Sequence, residues 1–124
     1  DLVTAEIGAS TSLASLLATV PDQLPWNAVA QAVADLHHAG VWHADLNAHN
    51  VLVDDGGQAW LIDFDRAEER LLRLQWREDN LERLHRSLVK LGAERLVRGF
   101  GLTWQGFLDA YAQAFAQRKR EHLT

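Results

Sequence analysis

The chain has 124 residues, 48% of them apolar and 23% charged, a balance that suits a single globular domain. It contains no cysteine, which excludes disulfides and thiol chemistry. Its net charge of −5 argues against nucleic-acid binding, and no apolar run approaches the roughly 20 residues of a membrane-spanning helix.

In chain order, Leu2 to Ile7 alternates loosely and stops at Gly8, which predicts a strand and a turn. Ser10-Thr11-Ser12 reads as a polar connector, with Ser12 placed to cap a short helix through Leu13, Leu16 and Leu17. Pro21 and Pro25 bracket a loop. Trp26 to Ala39 follows as a helix with Val29, Val33 and Leu36 on one face, ended by Gly40. Val51-Leu52-Val53 and Ala59-Trp60-Leu61-Ile62 flank the turn sequence Asp54-Asp55-Gly56-Gly57 and predict a β-hairpin. A helix is expected over about Trp76 to Leu91, with Leu81, Leu84, Leu88 and Leu91 at helical spacing. Another is expected from Thr103 to about Arg118, with Phe107, Leu108, Tyr111 and Phe115 facing inward, and Gly99-Phe100-Gly101 reads as the turn between them. The order of elements predicts a mostly helical α+β domain.

Polar residues concentrate at one place on this frame. His43, Asp45, Asn47, His49 and Asn50 crowd between a helix and the hairpin, and Asp63 and Asp65 follow the hairpin's second strand. A hairpin folds its two ends together, so Asp45 and Asn50 are expected beside Asp63. Phosphoryl transfer needs such an inventory. Mg²⁺ on nucleotide phosphates takes hard oxygen ligands, which Asn50 and Asp63 supply, and a separate carboxylate must align an acceptor hydroxyl and take its proton, which suits Asp45. His43 reads as the residue that bonds backbone near Asp63 and holds the loop. His37, His38 and His49 raise the thought of zinc, but no ligand spacing supports it.

The spacing matches protein kinases, in which the catalytic-loop Asp is followed five residues later by an Asn, as Asp45 is by Asn50; Asp63-Phe64 matches the start of their metal motif, with Asp65 in place of its Gly. The run Gly40-Val41-Trp42-His43-Ala44-Asp45-Leu46-Asn47-Ala48-His49-Asn50, the run Trp60-Leu61-Ile62-Asp63-Phe64-Asp65-Arg66 and the helix Asn80-Leu81-Glu82-Arg83-Leu84-His85-Arg86-Ser87-Leu88 resemble the bacterial 3-deoxy-D-manno-octulosonic acid (Kdo) kinases, lipopolysaccharide core kinases of the protein-kinase-like superfamily. The resemblance extends to about Leu91. It implies ATP-dependent phosphorylation, with Mg²⁺, of a Kdo hydroxyl on a lipid A precursor, at the cytoplasmic face of the inner membrane of a Gram-negative bacterium. It also implies Asp45 as catalytic base, Asn50 and Asp63 as metal ligands, and Glu6 and Ile7 beside the adenine. Residues 1–8 would be the remnant of a hinge strand and residues 9–124 a kinase-like C-terminal lobe.

The chain departs from protein kinases in two places. Ala44 stands where many have an Arg that reads activation-loop phosphorylation, and Asn47 stands where they have a Lys at the γ-phosphate. An amide cannot neutralise charge, so another cation is expected to help. All 12 Lys and Arg lie after position 65, and Arg66, the first of them, is the candidate. The Gly-rich loop and phosphate-binding Lys of a complete kinase are missing: the chain has only Lys90 and Lys119, and only Gly8 and Gly40 precede His43. The chain is therefore expected to be a large lobe without its small lobe, inactive by itself, and its lack of any Met fits a piece of something longer or a processed chain. The basic run Arg118-Lys119-Arg120 reads either as complementing a helix C-terminus or as a contact for anionic lipid. A binding or scaffold domain without catalysis, and a phosphotransferase with another acceptor, remain alternatives.

Overall fold

The structure, a computed structural model, describes residues 10–43, 45–62, 68–69 and 74–123. The expected strand at 2–7, with Glu6 and Ile7, lies outside the described residues, as do Asp63, Asp65 and Arg66. The elements are β1 (Thr11–Ser12), α1 (Leu13–Thr19), a 3₁₀ turn (Pro21–Gln23), α2 (Trp26–His38), β2 (Val41–Trp42), a second 3₁₀ turn (Ala48–Asn50), β3 (Val51–Val53), β4 (Ala59–Leu61), β5 (Glu68–Glu69), α3 (Leu74–Lys90), α4 (Ala93–Leu96) and α5 (Phe100–Leu123). The class is α+β, mostly helical. One antiparallel sheet has the order β1-β3-β4, and β2 pairs with β5 in a second, two-stranded one. Among the described residues no helix is long and apolar enough to cross a membrane.

Local chemistry explains most boundaries. Ser12 Oγ accepts the Ser15 N–H at 3.0 Å and caps α1, whose Leu13 and Leu17, one turn apart, are buried. Ser12 also pairs with Leu52 in β1, so the connector is a short strand as well. After α2, Gly40 takes φ 79°, a left-handed conformation that costs a glycine little and turns the chain into β2. The hairpin register pairs Val51 with Leu61, Leu52 with Trp60 and Val53 with Ala59. Its turn is built on Asp54. Oδ1 accepts the N–H groups of Gly56 and Gln58, each at 2.9 Å, and Oδ2 accepts the Trp60 indole N–H at 2.9 Å. These donors, the indole foremost, hold the Asp54 carboxyl below its usual pKa.

Two helices differ in extent from the expected ones. α3 begins at Leu74, two residues before Trp76. α5 begins at Phe100 and runs to Leu123. Of Gly99-Phe100-Gly101, only Gly99 (φ 64°) makes the turn; its carbonyl accepts from Leu102 and Thr103 and opens the helix. α5 continues to Leu123, so Arg120 lies in its last turn. Arg118 bonds Asp35, the Gln31 side chain (2.7 Å) and the Ala114 carbonyl (2.9 Å), tying α5 to α2. The short α4 and strands β2 and β5 carry no periodic signal long enough to read.

The core joins α1, α2, the hairpin, α3 and α5. α2 buries Val29, Ala30, Val33, Ala34 and His37, whereas Leu36, expected on the inner face, is half-buried. From α5 come Phe107, Tyr111 and Ala114, with Leu108 and Phe115 half-buried. Phe107 meets Trp26 edge-on at 6.1 Å and stacks on Trp104 at 4.7 Å.

Candidate active site

The loop from His43 to Asn50 lies between β2 and β3. It is anchored from beneath by Leu46 and Ala48, both fully buried, and by α3, where Ser87 Oγ accepts the Ala48 N–H at 2.9 Å. The hairpin ladder extends one bond past its strands, because Ile62 N–H donates to the Asn50 carbonyl at 3.0 Å. The loop is thereby joined to the residue that precedes Asp63 in sequence.

His43 is 1% exposed and crosses the same gap. The Asp45 backbone N–H donates to its Nδ1 at 3.1 Å, so the ring proton sits on Nε2, which donates to the Ile62 carbonyl at 2.8 Å. One imidazole thus fixes the backbone of Asp45 against the end of β4. The backbone of His43 is held in turn by Asn80 of α3, whose Nδ2 donates to the His43 carbonyl at 2.7 Å while its Oδ1 accepts the His43 N–H at 3.2 Å. A buried side-chain amide takes the place of a neighbouring strand.

On this support, the Asp45 side chain is exposed. Its carboxylate accepts from Asn47 Nδ2 at 3.0 Å and from Asn50 Nδ2 at 3.4 Å. The same two amides donate to the Asp45 carbonyl, Asn50 at 2.8 Å and Asn47 at 3.2 Å. Asn47 is occupied at both ends. Its Oδ1 caps the 3₁₀ turn by accepting from His49 (2.8 Å) and Asn50 (3.2 Å). Asn47 is therefore built into the loop. Nδ2 of Asn50 is spent on Asp45, and its Oδ1 is an oxygen of the hard kind that Mg²⁺ takes. Asp45, Asn47, Asn50 and His43 come together; Asp63, Asp65, Arg66, Glu6 and Ile7 lie outside the described residues.

The three other histidines considered for zinc have separate surroundings. His37 is buried in α2, His38 meets Phe115 edge-on at 5.9 Å, and His49 is exposed. Among the described residues no group of three His, Asp or Glu side chains is arranged to hold a metal ion. A groove between α3 and α5, about 1340 Å³ in volume, is lined by residues such as Arg77, Leu81, His85, Trp104 and Phe115 and includes none of the Asp45 loop.

The sequence does not reveal the supporting roles of three residues that matter to the loop: His37, Asn80 and Ser87. The first two carried a signal. His37 continues the buried stripe of Val29, Ala30, Val33 and Ala34, and Asn80 sits one turn from Trp76 and from Leu84, a polar residue on an apolar face.

The lipopolysaccharide kinase (Kdo/WaaP) family model matches residues 1–111. The chain belongs to that family. Among curated relatives, the 3-deoxy-D-manno-octulosonic acid kinase of Xanthomonas euvesicatoria pv. vesicatoria is 59% identical, over 64% of this chain and 36% of its own length. The protein of the same name from Xanthomonas oryzae pv. oryzae is 50% identical over the same shares. That of Stenotrophomonas maltophilia is 47% identical, over 73% of this chain and 36% of its own. The chain thus spans about a third of the length of the curated relatives it matches.

Proposed function

We propose that this chain carries the acceptor- and metal-binding part of an ATP-dependent kinase that phosphorylates a Kdo hydroxyl on a lipid A precursor, at the cytoplasmic face of the inner membrane. The observation that carries the reading is the Asp45 carboxylate, exposed and oriented by two amides on a loop locked to the end of the hairpin. Family membership and the names of the relatives support the phosphoryl transfer and the acceptor class.

In this reading residues 9–124 form the kinase-like C-terminal lobe and Glu6 and Ile7 lie by the adenine. Asp45 aligns the acceptor hydroxyl and takes its proton as the oxygen bonds to the γ-phosphorus and the bond from that phosphorus to ADP breaks. Asn50 and Asp63 would hold Mg²⁺, which when bound neutralises charge on the phosphates. His43 holds the backbone of Asp45, Asn47 shapes the 3₁₀ turn, and Asp65 and Arg66 follow the metal residue, with Arg66 supplying the cation that Asn47 cannot.

The test is a transfer assay on the longest natural chain that contains these residues, with Mg-ATP and a Kdo-bearing lipid acceptor. Asp45→Asn is expected to lower kcat by about 10²- to 10⁴-fold while ATP still binds. An active Asp45→Asn variant would remove Asp45 from the chemistry. Phosphorylation of a different acceptor alone would replace the substrate assignment, and binding without transfer would favour a scaffold domain.

A further inference from the structure

Behind the Asp45 loop a chain of buried polar groups reaches α5. His37 Nε2 lies 2.9 Å from Asn80 Oδ1, and His37 Nδ1 lies 2.7 Å from the Tyr111 hydroxyl, 74 positions away in sequence. Arg77 Nη1 donates to that hydroxyl oxygen at 3.3 Å. His37 and Asn80 are 0% exposed and Tyr111 is 5% exposed. The imidazole is gripped edge-on by Trp76 at 5.3 Å and by the Tyr111 ring at 5.5 Å.

The proton positions follow from the ends of the chain. The His43 carbonyl can only accept, so Nδ2 of Asn80 faces it and Oδ1 is an acceptor. His37 Nε2 must then donate. In a neutral ring Nδ1 is bare and accepts the Tyr111 O–H, whose oxygen is left to accept from Arg77. One arrangement satisfies His37, Asn80 and the Tyr111 hydroxyl, and burial favours the neutral ring it needs.

We propose that Tyr111 is a positioning residue for the reaction: its hydroxyl, donating to Nδ1 while its oxygen accepts from Arg77, secures the His37 tautomer that donates to Asn80, and Asn80 in turn sets the backbone of His43 and hence of Asp45. The catalytic part of this inference rests on the kinase reading above; the positioning of the loop does not. A helix-packing tyrosine would need no hydroxyl hydrogen aimed at a ring nitrogen. Here the hydroxyl is the only described donor to His37 Nδ1.

The experiment uses the longest natural chain with Tyr111→Phe, which keeps the ring, beside Arg118→Ala, which cuts a different tie between α2 and α5. Two readouts are taken: steady-state kinetics, and NMR of the His37 and His43 ring nitrogens with the Asp45 amide. Tyr111→Phe is expected to lower kcat about tenfold with KM for ATP changed less than about twofold, and to shift the His37, His43 and Asp45 resonances. Arg118→Ala is expected to do neither. Unmoved His43 and Asp45 resonances in Tyr111→Phe, or an equal effect of Arg118→Ala, overturn the proposal. If the wild-type protein transfers no phosphate, the kinase reading fails and the resonances still decide the positioning. If Tyr111→Phe does not fold, the wild-type ring nitrogens decide: a proton on Nδ1 of His37 in place of Nε2 overturns it.

Discussion

Asn50 donates to the backbone carbonyl of Asp45 at 2.8 Å, so the proposed metal ligand also orients the proposed base. Substitution should separate the two duties. Asn50→Ala removes both the donor and the oxygen, and kcat is expected to fall at least about 10²-fold. Asn50→Asp keeps an oxygen for the cation but replaces the donor with a second carboxylate facing Asp45. It should retain metal-dependent nucleotide binding while losing turnover. Mg²⁺ titrations of nucleotide binding and of rate, run side by side, check this. Equal loss of both in Asn50→Asp would contradict it.

Asn80 serves three partners: both backbone groups of His43, and His37 Nε2. Asn80→Leu leaves all three buried without this partner. At about 1–3 kcal/mol for a buried group left unsatisfied, the expected loss of stability is about 3 kcal/mol or more, read by urea unfolding. Asn80→Asp, nearly isosteric, should also destabilise the chain, because a carboxylate meets the His43 carbonyl where the amide donated.

The His37 pKa is lowered from 6.5 to about 4, first by burial and also by the Arg77 charge, against the raising effect of its bond to Asn80. Arg77 on α3 and Tyr111 on α5 are the charged and titratable groups that face it. Between these two pKa values the unfolded chain binds more protons at His37 than the folded one, so stability should fall as pH drops from about 6.5 to about 4 and level off below. The contribution is about 3 kcal/mol at most. Urea unfolding across that range, compared with His37→Gln, isolates it: the variant should show a shallower slope. Equal slopes would mean that His37 is not held neutral.

Asp54 pins the hairpin turn through three acceptor bonds and has a lowered pKa. A depressed carboxylate stabilises above its usual pKa of 3.8, and that contribution is lost as pH falls through the folded value. Asp54→Ala should speed amide hydrogen exchange at Gly56 and Gln58 and broaden the Trp60 indole signal. Unchanged exchange would show that the strand pairs alone hold the turn.

The helices and the hairpin were legible because their signals are local. Ser12 before an apolar run, leucines at helical spacing and the Asp-Asp-Gly-Gly turn each act within a few residues. The clustering of Asp45 with Asn50 was legible for the same reason. The support beneath the loop was not. His37 and Tyr111 are far apart in the chain, and nothing local says that a histidine on a buried stripe has a phenol at one nitrogen and an amide at the other. The early start of α5 was hidden by the glycines on either side of its first residue, Gly99 and Gly101, of which only Gly99 adopts a left-handed conformation. The β2–β5 pairing joins two residues to two and lies below any pattern a sequence can display.

The way Asn80 grips His43 bears on how the loop can change over evolutionary time. A strand holding the same backbone would be a contiguous stretch, and any insertion in it would shift the register of all its bonds. A single side chain on a rigid helix has no register to lose. Residues on the outer rim of the loop, such as the exposed His49, are then free to vary in size and polarity while the Asp45 carboxylate stays where it is.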